Sequence, residues 1–356
     1  MESLVAQPKW KVVEYSRSQI INAGKTIRKT DATDDEIKEA IKIVDNWRAA
    51  HAFPLHVIYM HLRRMRKSND NVIVAERLKR LDSIVNKLKR ESNMNLWVMQ
   101  DLGGCRVIVP DVEDVYRFAE KYEKSQKSHI KKKVNDYINE PKESGYRSLH
   151  VVYEYHSDRK ETYNRNMLIE IQFRTHLQHL WATAVETMGL FTKEAIKSGQ
   201  GSDDVKRFFV LVSALFAIQE NKPIVPNVIC DIDEIVKEIV ALDQKNNYLD
   251  FLSGLRVAID TQSQKKSTHK GGYYILLLDY NRRKLGLEHF NISQVDEANE
   301  FYNSIESKIT EAKIDAVLVH TSSFAELRSA YPNYFSDIKE FISIVKIYIK
   351  SYLFSI

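Results

Sequence analysis

Cysteine is almost absent from this 356-residue chain: Cys105 and Cys230 stand alone. Two isolated thiols make neither a disulfide framework nor a cysteine zinc site, which fits a reducing compartment and casts both as packing residues. Long apolar runs are missing too. The densest, YYILLLDY at 273–280, is strand-sized and far short of the ~20 residues that cross a bilayer. The N-terminus has neither the apolar core nor the small-residue cleavage site of a signal peptide, so the expected location is the cytoplasm, without a membrane partner. There is no internal repeat and no low-complexity segment. Charge of one sign is barely in excess, at +5, yet positive residues cluster in 62–90 and 124–133, which fits an anionic partner. What is present is 44% hydrophobic residues, enough to build a real core over a length that accommodates two domains.

Apolar positions Ile37, Ala40, Ile41, Val44 and Trp47 recur at helical spacing behind Thr33 and Asp34 as cap candidates, predicting a helix over 33–50. Pro54 interrupts the pattern. A second helix follows, with Leu55, Ile58, Tyr59, Leu62 and Met65 inward and a basic outer face. From 101 the texture changes to short β-branched and aromatic runs, CRVIV, HVVYEY and LIEIQF, separated by the helix VEDVYRFAEKYEK and by loops. Helices packed on a mixed sheet, an α+β fold, are the expectation. Residues 176–191 and 202–218 read as helices, the latter capped by Ser202, and a further helical stretch is expected over 231–259. The polar tract TQSQKKSTHKGG (261–272) reads as a linker. Beyond it, two paired strands, a helix, DAVLVHT as another strand and a last amphipathic helix predict a second, smaller α+β domain. The expected division is 1–32 as an extension, 33–220 as the first domain, 221–270 as a connector, and 271–356 as the second domain.

Four segments of the first domain carry chemistry. Read as a helix, 74–90 places Lys79, Ser83 and Lys87 four residues apart on one face with Arg77 near it, a row of donors matching a chain of phosphate oxygens. A solvated charged face is the plainer alternative. Asp101 stands just before Gly103, Gly104 and Arg106; glycines let a cofactor approach the backbone, and a strand-end aspartate suits Mg²⁺. Glu170 opens the strand EIQFRT as a second carboxylate, or else pairs with Arg174 on the same face. In PKESGYRSLH, Pro141 and Gly145 shape a tight excursion that is expected to expose Tyr146 beside Lys142, Arg147 and His150. A ring among cations suits a stacked nucleobase with phosphates at its edge; the alternative is a tyrosine packed under its own loop. His176 and His179 share a helical face but have no third ligand in sight, so lining or packing is expected of them rather than zinc.

The strings RLKRLDSIVNKL, DLGGCRVIV, DYINEPKESGYRSLH and EIQFRTHLQHLWATAVET resemble the synthetase domain of the RelA/SpoT alarmone enzymes over roughly 33–220. The resemblance implies a nucleotidyltransferase-like fold and ATP as pyrophosphate donor. It places Arg77 and Arg106 on the adenine, Lys79, Ser83 and Lys87 on the phosphates, Asp101 and Glu170 on Mg²⁺ as the catalytic pair, and Tyr146 under the acceptor base. His150 would lie near acceptor phosphates. Unlike the long members of that family, the chain shows no His-Asp hydrolase dyad, so product is expected to be made and not removed. WRAAHAFPL, HLQHLWATAVET and SDDVKRFF are similar to the toxic small synthetases, several of which pyrophosphorylate the 3′ adenosine of the tRNA CCA end. The alternative acceptor is GDP or GTP, and DNA is not an expected partner. The segment after 270 resembles the pseudo-zinc-finger-like antitoxin of the CapRel fused toxin–antitoxin proteins, released by a phage major capsid protein. Tyr331 and Tyr334 in AYPNYF are similar to the two-tyrosine motif by which that antitoxin occupies the ATP site.

Overall fold

The computed structural model describes residues 10–66, 71–125, 128–192, 203–254, 258–259, 271–279, 284–306, 314–321, 323–331 and 338–355. It is an α+β structure, a mixed sheet flanked by helices. Helix α1 (Arg17–Thr26) and helix α2 (Asp34–Ala50) begin with capping boxes, at Ser16 with Gln19 and at Thr33 with Glu36. Each box satisfies orphan N–H groups reciprocally, which is why the chain commits to a helix there. Helix α3 (Ala52–Arg66) follows after a break at His51; Pro54 sits in its first turn, where the missing N–H costs nothing.

The expected helix over 74–90 is divided. Residues Ile73–Leu78 form strand β1, and helix α4 begins only at Leu81 and runs to Arg90. The reason lies outside the segment: β1 finds partners on both edges and buries Val74, Ala75 and Glu76 between two layers. That pairing overrides the helical reading of its charges. Strand β2 (Gly103–Val109), helix α5 (Val112–Ser125), strand β3 (Ile130–Asp136), strand β4 (Leu149–Glu154) and strand β5 (Leu168–Thr175) complete the N-terminal half of the sheet. β3, IKKKVND, is an exposed edge strand that pairs only with β4 among the described residues, so it needs no apolar face and gives no hydrophobic signal.

Helices α6 (His176–Thr192), α7 (Asp203–Gln219), α8 (Ile232–Asn246) and α9 (Tyr248–Gly254) follow; the Ser202 cap lies outside the described residues. The predicted single helix over 231–259 is broken at Asn247, whose φ of 54° is left-handed and ends α8. Its far end, Ala258–Ile259, is strand β6. Strand β7 (Gly272–Asp279) and strand β8 (Lys284–Phe290) pair antiparallel, followed by helix α10 (Val295–Glu306), strand β9 (Ile314–Thr321), helix α11 (Phe324–Ala330) and helix α12 (Lys339–Ser355). Among the described residues no helix is long and apolar enough to cross a membrane.

The strands after residue 270 do not close a sheet of their own. The order β3-β4-β5-β2-β1-β9-β7-β8-β6 is one nine-stranded sheet, joined where Glu76 of β1 pairs with His320 of β9 and Arg77 with Val319. On one face, Val74, Cys105, Val107, Ile171 and Phe173 pack under α3 and α5. Over the opposite face α6 to α9 form a helical core, and α12 crosses back onto it through Phe341, Ile342 and Val345, joined by Ile338 just before it. Between that core and the sheet lies a cleft.

Candidate active site

Strand register builds the floor of this cleft. Glu170 of β5 is aligned with Gly104 of β2, and Gly104 with Arg77 of β1; one pleat on, His150 of β4, Gln172, Arg106 and Ala75 form the next row. Alternation puts these residues on one face and Val107, Ile169 and Ile171 on the other. The two adjacent glycines serve opposite faces. A Cβ on Gly103 would come within 2.7 Å of the Ile169 side chain, whereas one on Gly104 would meet only Glu170 O at 3.7 Å and Arg77 O at 4.0 Å. Gly103 therefore lets the layers close, and Gly104 leaves the floor open. The resulting cleft holds about 250 Å³ and is lined by Arg77, Lys79, Ser83, Asp101, Arg106, Glu170, Gln172, Glu186 and Tyr331.

Lys79 sits at the turn between β1 and α4, and Ser83 and Lys87 lie one helical turn apart on α4. The row of donors expected from the sequence is thus assembled from a turn and a helix. Asp101 holds it together, accepting from Lys79 Nζ at 2.9 Å and Lys87 Nζ at 3.1 Å. Burial works against the Asp101 carboxylate, but the two lysines more than reverse this and take its pKa down to about 2. Burial lowers Lys79, and Lys87 and Arg77 add to that while Asp101 opposes it. Such crowded cations are eased by a polyanion.

Glu170 is the head of a buried chain. It accepts from His150 Nδ1 at 2.9 Å and from Gln172 Nε2 at 2.6 Å; His150 Nε2 meets the Tyr146 hydroxyl at 2.7 Å, to which Arg174 Nη2 also donates at 2.7 Å. Burial disfavours charge on both His150 and Glu170, yet Tyr146 and Glu170 together raise the His150 pKa, and His150 with Gln172 lowers that of Glu170. The direct Glu170–Arg174 ion pair weighed from the sequence does not form: Gln172 stands between them, accepting from Arg174 Nη2 at 2.8 Å.

The structure corrects the expected exposure of Tyr146. Its ring is 3% exposed and packs with Trp181 and the helical core. Gly145, at φ 86°, makes the turn; a Cβ there would lie 2.9 Å from the Ser213 side chain, and Ser213 Oγ donates to its carbonyl. Arg147 is drawn inward as well, donating to the carbonyls of Ile138 and Pro223 and to Ser213 Oγ. It clamps the loop. Lys142 remains exposed, its Nζ 4.4 Å from the Tyr137 ring centroid and 5.3 Å from that of Tyr146. Of the acceptor residues read from the sequence, Lys142 alone is open to solvent in this conformation.

The far wall of the cleft comes from the C-terminal segment. Tyr331 is 2% exposed, stacks its ring 5.3 Å below the Arg106 guanidinium carbon, and donates its hydroxyl to Glu76 O at 3.2 Å. The last carbonyls of α11 dock alongside: Arg106 Nη1 donates to Ala330 O at 2.6 Å, and His179 Nε2 lies 3.0 Å from Ser329 O. A cation at a helix C-terminus is a favourable arrangement. Arg66 pairs with Glu326 at 2.7 Å, fixing the other end of α11 against α3. Tyr334 lies outside the described residues. His176 pairs with Glu340 of α12, so the two histidines of this helix go to different partners.

Sequence reasoning missed Gln172 and Glu186, and read Arg174 only as a possible ion-pair partner of Glu170. The signal for Gln172 and Arg174 was there: period-2 alternation in EIQFRT puts 170, 172 and 174 on one face. Glu186 of α6 reaches the cleft by tertiary packing alone.

Residues 76–193 match the family described as a region found in RelA / SpoT proteins. GTP pyrophosphokinase YjbM of Bacillus subtilis (strain 168) is 35% identical over 112 residues, covering 31% of this chain and 52% of that protein. For GTP pyrophosphokinase YwaC of the same organism the figures are 35% over 114 residues, 30% and 52%. The chain thus spans about half the length of the curated relatives it matches. Among solved structures, a GTP pyrophosphokinase family protein from Streptococcus pneumoniae is similar at 28% identity and a TM-score of 0.41, over 48% of this chain and 86% of that one. Small alarmone synthetase 1 of Bacillus subtilis bound to its product pppGpp gives 27%, 0.38, 46% and 84%. The residues matched to that family carry the end of β1 and all of α4, β2, β4 and β5, the elements that build the floor of the cleft.

Proposed function

We propose that the chain is an ATP pyrophosphotransferase that moves the β,γ-pyrophosphoryl group of ATP to a ribose 3′-hydroxyl, releasing AMP, and that its own C-terminal segment restrains it. The observation that carries the reading is the convergence in one cleft of two carboxylates, Asp101 and Glu170, with Lys79, Ser83, Lys87, Arg77 and Arg106. The carboxylate oxygens suit Mg²⁺, a hard cation usually held by one or two carboxylates plus substrate phosphates. When bound, it would neutralise charge developing on the transferred group. The protein's own work is positioning. Lys79 and Lys87 would turn from Asp101 to the triphosphate, Arg77 and Arg106 would flank the adenine, and Glu170, within the cleft and bonded to His150, is the base for the acceptor hydroxyl.

The preferred acceptor is the CCA end of tRNA. Support comes from the resemblance to toxic small synthetases and from the exposed lysines of β3, Lys131, Lys132 and Lys133, at the sheet edge beside the strand of His150. A guanine nucleotide is the second reading, favoured by the names of the relatives, GTP pyrophosphokinases. Incubation with γ-labelled ATP and either GDP, GTP or total tRNA decides: label in tRNA supports the first, label in a nucleotide the second. Glu170→Gln is expected to abolish transfer by orders of magnitude with the fold kept; near-normal transfer would remove the assigned role. The restraint is supported by the contact of Tyr331 with Arg106, a residue otherwise assigned to adenine. A phage major capsid protein that favours withdrawal of α11 is the proposed trigger, tested by adding it to the transfer assay.

A further inference from the structure

The reverse face of β1 carries a cluster that the cleft does not use. Glu76 lies between Ala75 and Arg77, so alternation turns its side chain away from the cleft and under α3. There its Oε1 meets His56 Nδ1 of α3 at 3.0 Å and His320 Nδ1 of β9 at 3.3 Å. Glu76 and His320 are 4% and 2% exposed, and Glu76 Oε2 and both ring nitrogens of His320 have no hydrogen-bond partner among the described residues. A buried carboxylate oxygen and a buried imidazole left without hydrogen-bond partners are each costly. Something else must satisfy them. One donor atom from each of the three residues lies within 4.8 Å of the others.

We propose that His56, Glu76 and His320 form a binding site for a divalent transition-metal ion, of which zinc is the fitting class, that clasps the C-terminal segment to the synthetase region. Two imidazoles and one carboxylate are a recognised zinc donor set, and bonds of about 2.0–2.1 Å in a tetrahedron need donors roughly 3.3 Å apart. Two of the three spacings already meet that, and the third closes by a small rotation of His56, whose side chain is 19% exposed and gives the ion an entry path. His320 is buried, an environment that disfavours a charged imidazolium. A neutral ring has a lone pair to give. The fourth position faces a small cavity of about 30 Å³ lined in part by Trp10 and Tyr273, space for one water.

The placement makes the ion a clasp. His56 and Glu76 belong to the N-terminal half, while His320 belongs to the strand that joins β1 through only two register pairs. The Glu76 carbonyl is also the acceptor for Tyr331. Bound metal would therefore fix, from behind, the strand on which the Tyr331 contact rests. This holds whatever the acceptor of the cleft is.

The test uses the full chain carrying Cys230→Ser, to remove the exposed thiol, titrated with Zn²⁺ and with Co²⁺ as an optical probe. One saturable equivalent, a visible cobalt absorption, a raised unfolding temperature and slower amide exchange in 314–321 are expected. His320→Ala should lose all four, and so should His56→Ala, which opens less of the core and guards against a misfolded variant. Glu76→Gln should weaken binding at least tenfold. Absence of saturable binding by the parent, or equal binding by both histidine variants, overturns the site. Binding that leaves exchange in 314–321 unchanged overturns the clasp.

Discussion

Asp101 shows how much one residue can hold in readiness. Its pKa, about 2 against an ordinary 3.8, is depressed by Lys79 and Lys87 against the effect of burial. Because the folded value lies below the unfolded one, the stabilisation is complete above about pH 4 and drains away as pH falls toward 2. The size is about 2 kcal/mol. Urea denaturation at a series of pH values should show the wild type losing about that much more than Asp101→Asn between pH 5 and 2. Tyr146 gives the second expectation at this scale. With its hydroxyl bonded to His150 and Arg174, Tyr146→Phe strands the Arg174 Nη2 donor and leaves His150 Nε2 without this partner, and should cost about 1–3 kcal/mol in denaturation midpoint analysis, along with transfer activity. From the loop PKESGYRSLH, one reads a base platform. What buries the ring, Trp181 and the Ser213 turn of α7, lies 35 and 67 residues away in sequence and leaves no local trace. The two carboxylates of the cleft were legible because Asp101 directly precedes the strand-like run of β2 and Glu170 sits in the alternating pattern of β5.

At the scale of elements, β1 brings Arg77 to the cleft and α11 docks against it through Ala330. Cutting the chain near 270 is the simplest way to free the site if the C-terminal segment is a separate appendage. The sheet gives that cut a second effect. It strips β9 from an inner strand and α12 from the helical core, leaving an unpaired edge and an uncovered apolar face, both routes to aggregation. Tyr331→Ala is the cleaner lesion. Basal transfer by this variant should rise at least tenfold with solubility kept, while the truncated chain should partition to the insoluble fraction; a soluble but inert Tyr331→Ala would discard restraint by this residue. Helix α2, with its Thr33 box, and strands β2, β4 and β5 were readable because cap chemistry and apolar alternation are local. β1 was not, since its charged residues mimic a helix face and its strand partners come from both halves of the chain.

Across the whole molecule, the backbone pairing that joins the halves of the sheet is narrow. One sheet of nine strands is continuous, its two halves hydrogen-bonded through two β1–β9 register pairs, with Arg66–Glu326, the Arg48–Asn303 bond (2.9 Å), the α11 and Tyr331 contacts at Arg106 and the packing of α12 on the helical core beside them. Amide exchange in 272–279 and 314–321 should therefore accelerate together when a non-hydrolysable ATP analogue is added, while β2, β4 and β5 become better protected. Exchange that is unchanged in the C-terminal strands would mean that nucleotide enters without displacing them. That joint could not be foreseen: the polar tract at 261–272 reads as a boundary, and nothing in the alternation of β9 names β1 as its neighbour.

The placement of Tyr331 over Arg106 has a consequence for the cell. If adenine needs the same guanidinium, closure and ATP compete by mass action, and ambient nucleotide continually works to open the lid. At a free ATP concentration a hundred times its dissociation constant, the closed state must be intrinsically favoured by more than about 2.7 kcal/mol merely to hold half the molecules shut. The same competition would make the restraint firmer as ATP is depleted, so that a starved cell silences the enzyme and an energised one keeps it near release.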